Sequence, residues 1–328
     1  MDVTSALHQQ GELEVLDLKK GTGTEIPQTS FEIPRGDIER IISLQFRYDR
    51  ILEILEPYEV RPEGVLSLLF PKDSQPLPVR YDTPGDVFQA AHEMLDQAEP
   101  VLTTYEALKQ NRELQQVTRE RIENLNRLAV PGCSLSYLAP APYTFLVAGW
   151  ILQESLPLLE AWFRESGTDE IYLHRVPNGQ EIIVLCIGTR AMRPLLEELV
   201  HRAWFFRITL PETYAGLPGE MISSEQARLE EYIKEEEGLT DLLVSTAASQ
   251  LTFLRAIREE LSIWRDRFDV SRNYGSSRDV VYLHGWIRKK DTDRLHDVIK
   301  KVTDDEFFLF SKPAGPEDDV PVRYDNPG

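Results

Sequence analysis

The chain has 328 residues, 41 % of them apolar, and 36 Lys+Arg against 55 Asp+Glu give a formal net charge of −19. The length allows two or three domains with real cores, while a field of that sign argues against nucleic acid or an anionic lipid surface as a partner. Two cysteines, Cys133 and Cys186, are too few and too far apart for a disulfide framework or a CxxC site, no window reaches the ~18 apolar residues of a membrane span, and the N-terminus lacks a secretion signal, so the residues describe a soluble cytoplasmic chain with two buried thiols.

In chain order, Val3 to Gln9 predicts a helix and Leu13 to Leu18 a strand. Gly21-Thr22-Gly23 follows that strand as a phosphate-binding turn would, but no third glycine and no Gly-Lys-Ser/Thr completes a nucleotide site. Arg35-Gly36-Asp37 is read as a turn whose Asp37 caps an amphipathic helix from Ile38 to Tyr58. Next comes Pro78-Val79-Arg80-Tyr81-Asp82-Thr83-Pro84-Gly85, an octamer that returns almost unchanged at the end of the chain.

Behind that octamer, Val87, Ala91, Leu95, Ala98, Val101, Tyr105 and Leu108 recur at steps of three and four. After a slip, Leu114, Val117, Ile122, Leu125 and Leu128 continue the stripe, and Pro100 should bend the helix. A second long helix carries Leu229, Ile233, Leu239, Leu243 and Ala247, then Leu254, Ile257, Leu261, Trp264 and Phe268 at heptad spacing. Each stretch would extend roughly 65 Å, and neither can bury its narrow seam alone. An antiparallel two-helix coiled coil is the economical solution, with two independent helices each packed on a globular body as the alternative.

Between the two helices the order is βαββαβ. Tyr143 to Ile151 is a strand and Ser155 to Arg164 a helix, capped by Ser155 and ended by Gly167. Glu170 to Val176 and Glu181 to Ile187 form a hairpin over Pro177-Asn178-Gly179, Thr189 to Ala203 is a second helix, and Phe205 to Leu210 a last strand. That is the order of a ferredoxin-like lobe. After the second long helix, Val280 to Ile287 and Glu306 to Ser311 predict strands around a helix from Thr292 to Lys301. Gly285-Trp286-Ile287 echoes Gly149-Trp150-Ile151 and suggests an internal duplication. The expected fold is therefore α+β. One discontinuous α/β lobe is built from 1–86 and 275–328, a coiled-coil rod from 87–129 and 219–272, and a second lobe from 130–218, in the form of a dumbbell.

A search for chemistry finds little. His8, His92, His174, His201, His284 and His296 are scattered, with no HExxH or other ligand spacing, and His174 and His284 fall in predicted strands. No nucleophile sits in an elbow motif, and Glu235-Glu236-Glu237 is a solvated helix face rather than a matched acid and base. Enzyme, metal and cofactor are thus disfavoured. The repeated Pro-Leu-Leu-Glu at Pro157 and Pro194 opens two lobe helices. Trp162, Trp204, Phe205, Phe206 and Trp286 are the candidate partner-binding residues, with lobe core as the competing assignment. The candidate seam is Leu95, Tyr105, Leu108, Leu125, Leu239, Leu254, Ile257, Leu261 and Trp264.

The two lobes, the paired long helices, the Gly-Trp-Ile strand ends and the tail Asp319-Val320-Pro321-Val322-Arg323-Tyr324-Asp325-Asn326-Pro327 together carry a family resemblance. The chain resembles the N-terminal cytoplasmic part of subunit I (subunit a) of the rotary vacuolar-type and archaeal-type ATPases and ATP synthases. In that family a D-x-P-V-x-x-x-N-P tail leads into the membrane-embedded part. The resemblance implies a non-catalytic stator arm at the cytoplasmic face of a membrane, without cofactor. Its partners would be peripheral-stalk heterodimers of the E and G type, the central-rotor cap subunit, the rotor ring and a membrane part of the same polypeptide. The early octamer and the lack of a strand ahead of the first helix depart from the family pattern. From another class, a small-molecule sensor of the ACT type with a coiled-coil relay stays open, although the loops after Trp150 and Trp286 lack the binding glycine of such lobes. A hinged coiled coil of the chromosome-maintenance kind is disfavoured by the acidic charge and the absence of a Walker sequence.

Overall fold

A computed structural model describes residues 3–17, 29–30, 35–60, 81–139, 141–167, 169–316, 318 and 320–321. The chain divides into two compact units, one from 1–103 with 243–328, the other from 104–242. Two long helices, α3 (Pro84–Ala129) and α6 (Pro218–Ser271), contribute to both.

In the first unit the elements are α1 (Val3–Gln10), β1 (Glu14–Val15), β2 (Thr29–Ser30), α2 (Arg35–Leu55), the start of α3, the end of α6, β7 (Gly275–Ser276), β8 (Val281–Tyr282), β9 (Gly285–Trp286) and α7 (Thr292–Val302). Ile41, Leu44, Tyr48, Ile51 and Leu55 alternate by three and four along α2 and are buried. They share this unit with buried Val87, Ala91 and Leu95 of α3 and buried Leu254, Leu261 and Trp264 of α6. The Tyr48 hydroxyl donates to the Ala91 carbonyl at 3.0 Å, and burial raises its pKa. From α6, Arg258 pairs with Asp49 of α2 at 2.9 Å and Arg255 with Glu59, just past the end of α2, at 2.8 Å.

Several expectations change here. The helix predicted from Ile38 begins at Arg35, so Asp37 lies in its first turn, where a carboxylate complements the helix N-terminus. The strand predicted from Val280 to Ile287 is split: β8 joins β7 and β2, while β9 pairs with β1, antiparallel in each case. His284 falls between the two and accepts a backbone hydrogen bond from Leu16. Of Leu13 to Leu18 only Glu14 and Val15 are strand, and residues 306–311 form none, with Phe308 91 % exposed. The apolar character of that last segment fits a strand, but no neighbouring edge among the described residues supplies its hydrogen bonds. The Gly-Thr-Gly turn at 21–23 lies outside the described residues.

Of the octamer at 78–85, the described residues 81–85 gain a physical account, while its first three residues lie outside the described residues. Thr83 Oγ1 accepts from the Asp86 amide at 3.2 Å and donates to the Asp86 carboxylate at 2.7 Å, with Pro84 at the first helical position. Asp-Thr-Pro is thus a capping sequence for α3. The helix continues through Pro100, which deletes one rung of its hydrogen-bond ladder.

In the second unit, β3 (Thr144–Leu152), α4 (Leu156–Glu165), β4 (Ile171–Asn178), β5 (Glu181–Thr189), α5 (Arg193–Val200) and β6 (Phe206–Arg207) follow one another. The sheet order is β4-β5-β3-β6, antiparallel throughout. Odd residues of β3, Val147 and Ile151, face α4 and α5 in a core with Leu159, Trp162, Leu196 and Phe205. Ala148 faces the opposite side and packs with Leu125 and Leu128 of α3, Leu135 and Ile208. The lobe is a sheet between two helical layers, each closed by one parity of β3.

Details differ from the sequence expectation at the edges. The hairpin turns at Gly179, with φ +66, and Pro177 belongs to β4. Ser155 makes no side-chain cap, and a 3₁₀ turn at Gln153–Ser155 leads into α4 instead. The helix expected to begin at Thr189 likewise opens with a 3₁₀ turn and ends at Val200, and β6 stops at Arg207 rather than Leu210.

Candidate partner-docking surface

The structure separates the five aromatic candidates. Trp162 and Phe205 are 7 % and 4 % exposed inside the α4/α5 core, and Trp204 packs against it half-buried. Trp162 and Phe205 thus belong to the lobe core, and Trp204 flanks it. Trp286 belongs to the first unit, half-buried and opposite Glu14 in the β1–β9 pair. Phe206 alone projects, 42 % exposed, and stacks on Trp150 with ring centroids 4.2 Å apart.

Trp150, which sequence reasoning did not select, is the middle of a three-layer stack. The Arg127 guanidinium lies 4.6 Å above its ring and grips Glu181 through Nε at 3.0 Å and Nη2 at 3.1 Å. The end of α3, two central strands and β6 are joined by one cation–π contact, one bidentate ion pair and one ring stack. The available signal was the strand register, which sets Trp150 opposite Phe206.

The candidate seam also sorts by position. Leu95, Leu108, Leu125, Leu254, Ile257, Leu261 and Trp264 are all buried. Tyr105 is 38 % exposed, displaced by Thr104 at 9 %, and Leu239 is half-buried. No slip occurs after Leu108. Asn111, Gln115 and Thr118 occupy the next positions at 3 %, 2 % and 1 % exposure, while Leu114 and Val117 face outward at 46 % and 41 %. The heptad phase runs unbroken with polar residues in it.

These polar residues bind the other helix. Asn111 donates to Glu235 at 2.8 Å, Gln115 to Glu236 at 2.6 Å, and Arg112 to Glu236 at 2.7 Å. Further along, Arg121 approaches Glu225 at 3.9 Å. Partner numbers fall from 235 at Asn111 to 225 at Arg121, so the two helix segments of this unit run antiparallel. The Arg112 and Gln115 hydrogen bonds hold the Glu236 carboxyl below its ordinary pKa. Glu225 is 2 % exposed and paired with Arg228 at 2.7 Å.

These ionisable groups serve structure. Burial pushes the Cys186 thiol up to about 12 and raises that of Cys133, so neither is prepared as a nucleophile. Among the described residues no group of three or more His, Cys, Asp or Glu could hold a metal ion, and no helix is long and apolar enough to cross a membrane. What the second unit offers is surface: charged helix flanks, an aromatic stack and, among the described residues, open sheet edge along β4 and along the first half of β3.

No protein-family model matches the chain. It is 24 % identical to the A-type ATP synthase subunit I of Methanocaldococcus jannaschii over 99 % of its own length and 48 % of that relative's. It is 29 % identical to the subunit I of Methanothermobacter thermautotrophicus over 58 % of its length and 29 % of the relative's. A third, from Thermococcus kodakarensis, is 20 % identical over 98 % of the chain and 48 % of the relative. Among solved structures, the cytoplasmic N-terminal domain of subunit I, homolog of subunit a, of V-ATPase matches the fold with a TM-score of 0.53 at 13 % identity, covering 92 % of each chain. The likeness is to subunit I of the rotary ATPases. The chain spans about half the length of the curated relatives that match it from end to end. The subunit I likeness and the mixed helix-and-sheet fold agree with the resemblance read from the sequence.

Proposed function

We propose that this chain is a non-catalytic stator arm of a V/A-type rotary ATPase, connecting a membrane ion-translocating sector to peripheral stalks. The observation that carries this reading is the pair of uninterrupted helices of 46 and 54 residues, braced by antiparallel polar contacts and each feeding a lobe. A stator must resist lateral force without performing chemistry, and packed helices with ion-paired flanks transmit force well. In this reading both lobes are ferredoxin-like, one from 1–86 and 275–328, the other from 130–218, and 87–129 with 219–272 form the paired arm.

The partners proposed are peripheral-stalk heterodimers of the E and G type, the central-rotor cap subunit, and the membrane part and rotor ring of the same complex. An acidic body of charge −19 favours partners with basic surfaces by complementary fields. Reconstitution with the purified stalk heterodimer, followed by native mass spectrometry and cross-linking, tests the assignment. A stoichiometric complex is expected at moderate salt. Absence of any complex with the heterodimer and the cap subunit, using a folded chain, refutes it.

A further inference from the structure

Strand β3 is paired with β5 along its whole length, from Thr144 opposite Thr189 to Leu152 opposite Glu181. Its other edge meets β6 only at Gly149–Arg207 and Trp150–Phe206, and the last link is Ile208 N–H donating to the Ala148 carbonyl at 2.9 Å. Odd residues of β3 turn their backbone groups toward β5, as the Tyr143 carbonyl does in accepting from Arg190. Thr144 and Leu146 therefore turn theirs the same way as Ala148, and among the described residues no backbone or side-chain group pairs with them.

A cavity of about 320 Å³ lies along this free edge. Leu138, Leu146 and Tyr214 give it apolar walls, and Arg190, Arg193 and Arg207 line it against a single carboxylate, Glu212. Arg193 lies over the Phe145 ring and pairs with Glu197 at 2.8 Å, whereas Arg190 and Arg207 have no ion pair among the described residues. A cationic, strand-edged groove on a chain of charge −19 is a local inversion of the protein's own field.

We propose that this groove binds an extended acidic peptide segment of a partner protein, added to β3 as a fifth strand. Backbone pairing to Thr144 and Leu146 supplies register, alternate side chains enter between Leu138 and Tyr214, and carboxylates reach Arg190 and Arg207. About three residues at ~3.3 Å each fit along the free edge. The surface belongs to the second unit alone and does not depend on the stator reading.

The test uses the whole chain, isotopically labelled, titrated with a blocked pentapeptide alternating glutamate and valine. Saturable amide shifts at Thr144, Leu146 and Ile208 are expected, weakened at least about tenfold by Arg190→Glu with Arg207→Glu and by N-methylation of alternate peptide nitrogens. Both arginines are exposed, so circular dichroism of the double variant should match the parent. No saturable shift at those amides, or an affinity indifferent to the charge reversal, overturns the proposal. Equal competition by inorganic phosphate with no effect of N-methylation identifies a plain anion site and also overturns it. A negative result leaves assembly with the stalk heterodimer untouched, so the two readings fail separately.

Discussion

Gly149 and Gly285 begin the two Gly-Trp-Ile echoes, and the structure gives each a steric reason. A Cβ on Gly149 would lie 2.3 Å and 2.5 Å from ring carbons of Phe205 and 2.8 Å from the Phe206 carbonyl. Phe205 is 4 % exposed in the α4/α5 core, and the Phe206 backbone is held by its pairing with Trp150, so neither neighbour can withdraw freely. Overpacking of this kind costs about 1–3 kcal/mol. Alanine recovers about 0.4–1 kcal/mol by restricting the unfolded chain. With three contacts below ordinary van der Waals separation, the upper part of the range applies, and Gly149→Ala should destabilise the second unit by about 2 kcal/mol, roughly 5 °C in its thermal transition. Urea and thermal unfolding followed by circular dichroism measure this. Phe205→Leu shortens the offending ring, so the double variant should lie at least about 0.5 kcal/mol above the sum of the singles. A Gly149→Ala effect under about 0.5 kcal/mol, or strict additivity with Phe205→Leu, refutes the steric account.

Three further outcomes follow from the same packing. Asn111→Leu with Gln115→Leu should destabilise the second unit by about 1–3 kcal/mol in urea, because two buried leucines gain about 3–5 kcal/mol while the lost hydrogen bonds to charged Glu235, Glu236 and Arg119 withdraw about 1.5–3 kcal/mol each; stabilisation would show that the polar pair is worth less than the apolar burial it displaces. The Glu236 pKa is lowered, so its stabilising contribution is complete above the unfolded value of 4.5 and is lost as the pH falls through the depressed folded value. Glu236→Gln should therefore flatten stability against pH below that point, more visibly at low salt, and an unchanged acid limb would count against the Arg112 and Gln115 bonds. With its thiol pushed up to about 12, Cys186 should resist a thiol reagent at pH 8 until urea unfolds the chain, while half-buried Cys133 reacts first; rapid labelling of both would contradict the packing of β5.

What the sequence disclosed, and what it hid, follows one physical rule: pattern is visible where burial and apolarity coincide. Leu254, Leu261 and Trp264 obey both, and the helix carrying them was legible from spacing alone. Between 108 and 125 burial and apolarity separate. Asn111, Gln115 and Thr118 are buried because Glu235 and Glu236 satisfy two of them from the other helix, while Leu114 and Val117 are left outside. A reader following apolar residues must invent a slip there. The α4/α5 lobe was legible because β3 and β5 are buried on both faces and read as continuous apolar runs. The first unit's two-residue strands carry no period at all, so one predicted strand dissolved into β8 and β9.

The proposed docking surface was hidden for a different reason. Trp162, Trp204 and Phe205 satisfy every composition rule for an interface, yet their rings fill the core, because aromatic residues serve both environments equally well. The groove beside β3 depends instead on hydrogen bonds that are not made: β6 leaves the sheet after Arg207, although Ile208 and Leu210 continue an apolar alternation that ordinarily extends a strand. Only the fold shows that, among the described residues, Thr144 and Leu146 stay unpaired behind it. The residues predicted to dock partners are therefore mostly those that hold the lobe together. The free edge and its arginines, which carried no sequence motif, are where an incoming chain could add hydrogen bonds without first breaking any.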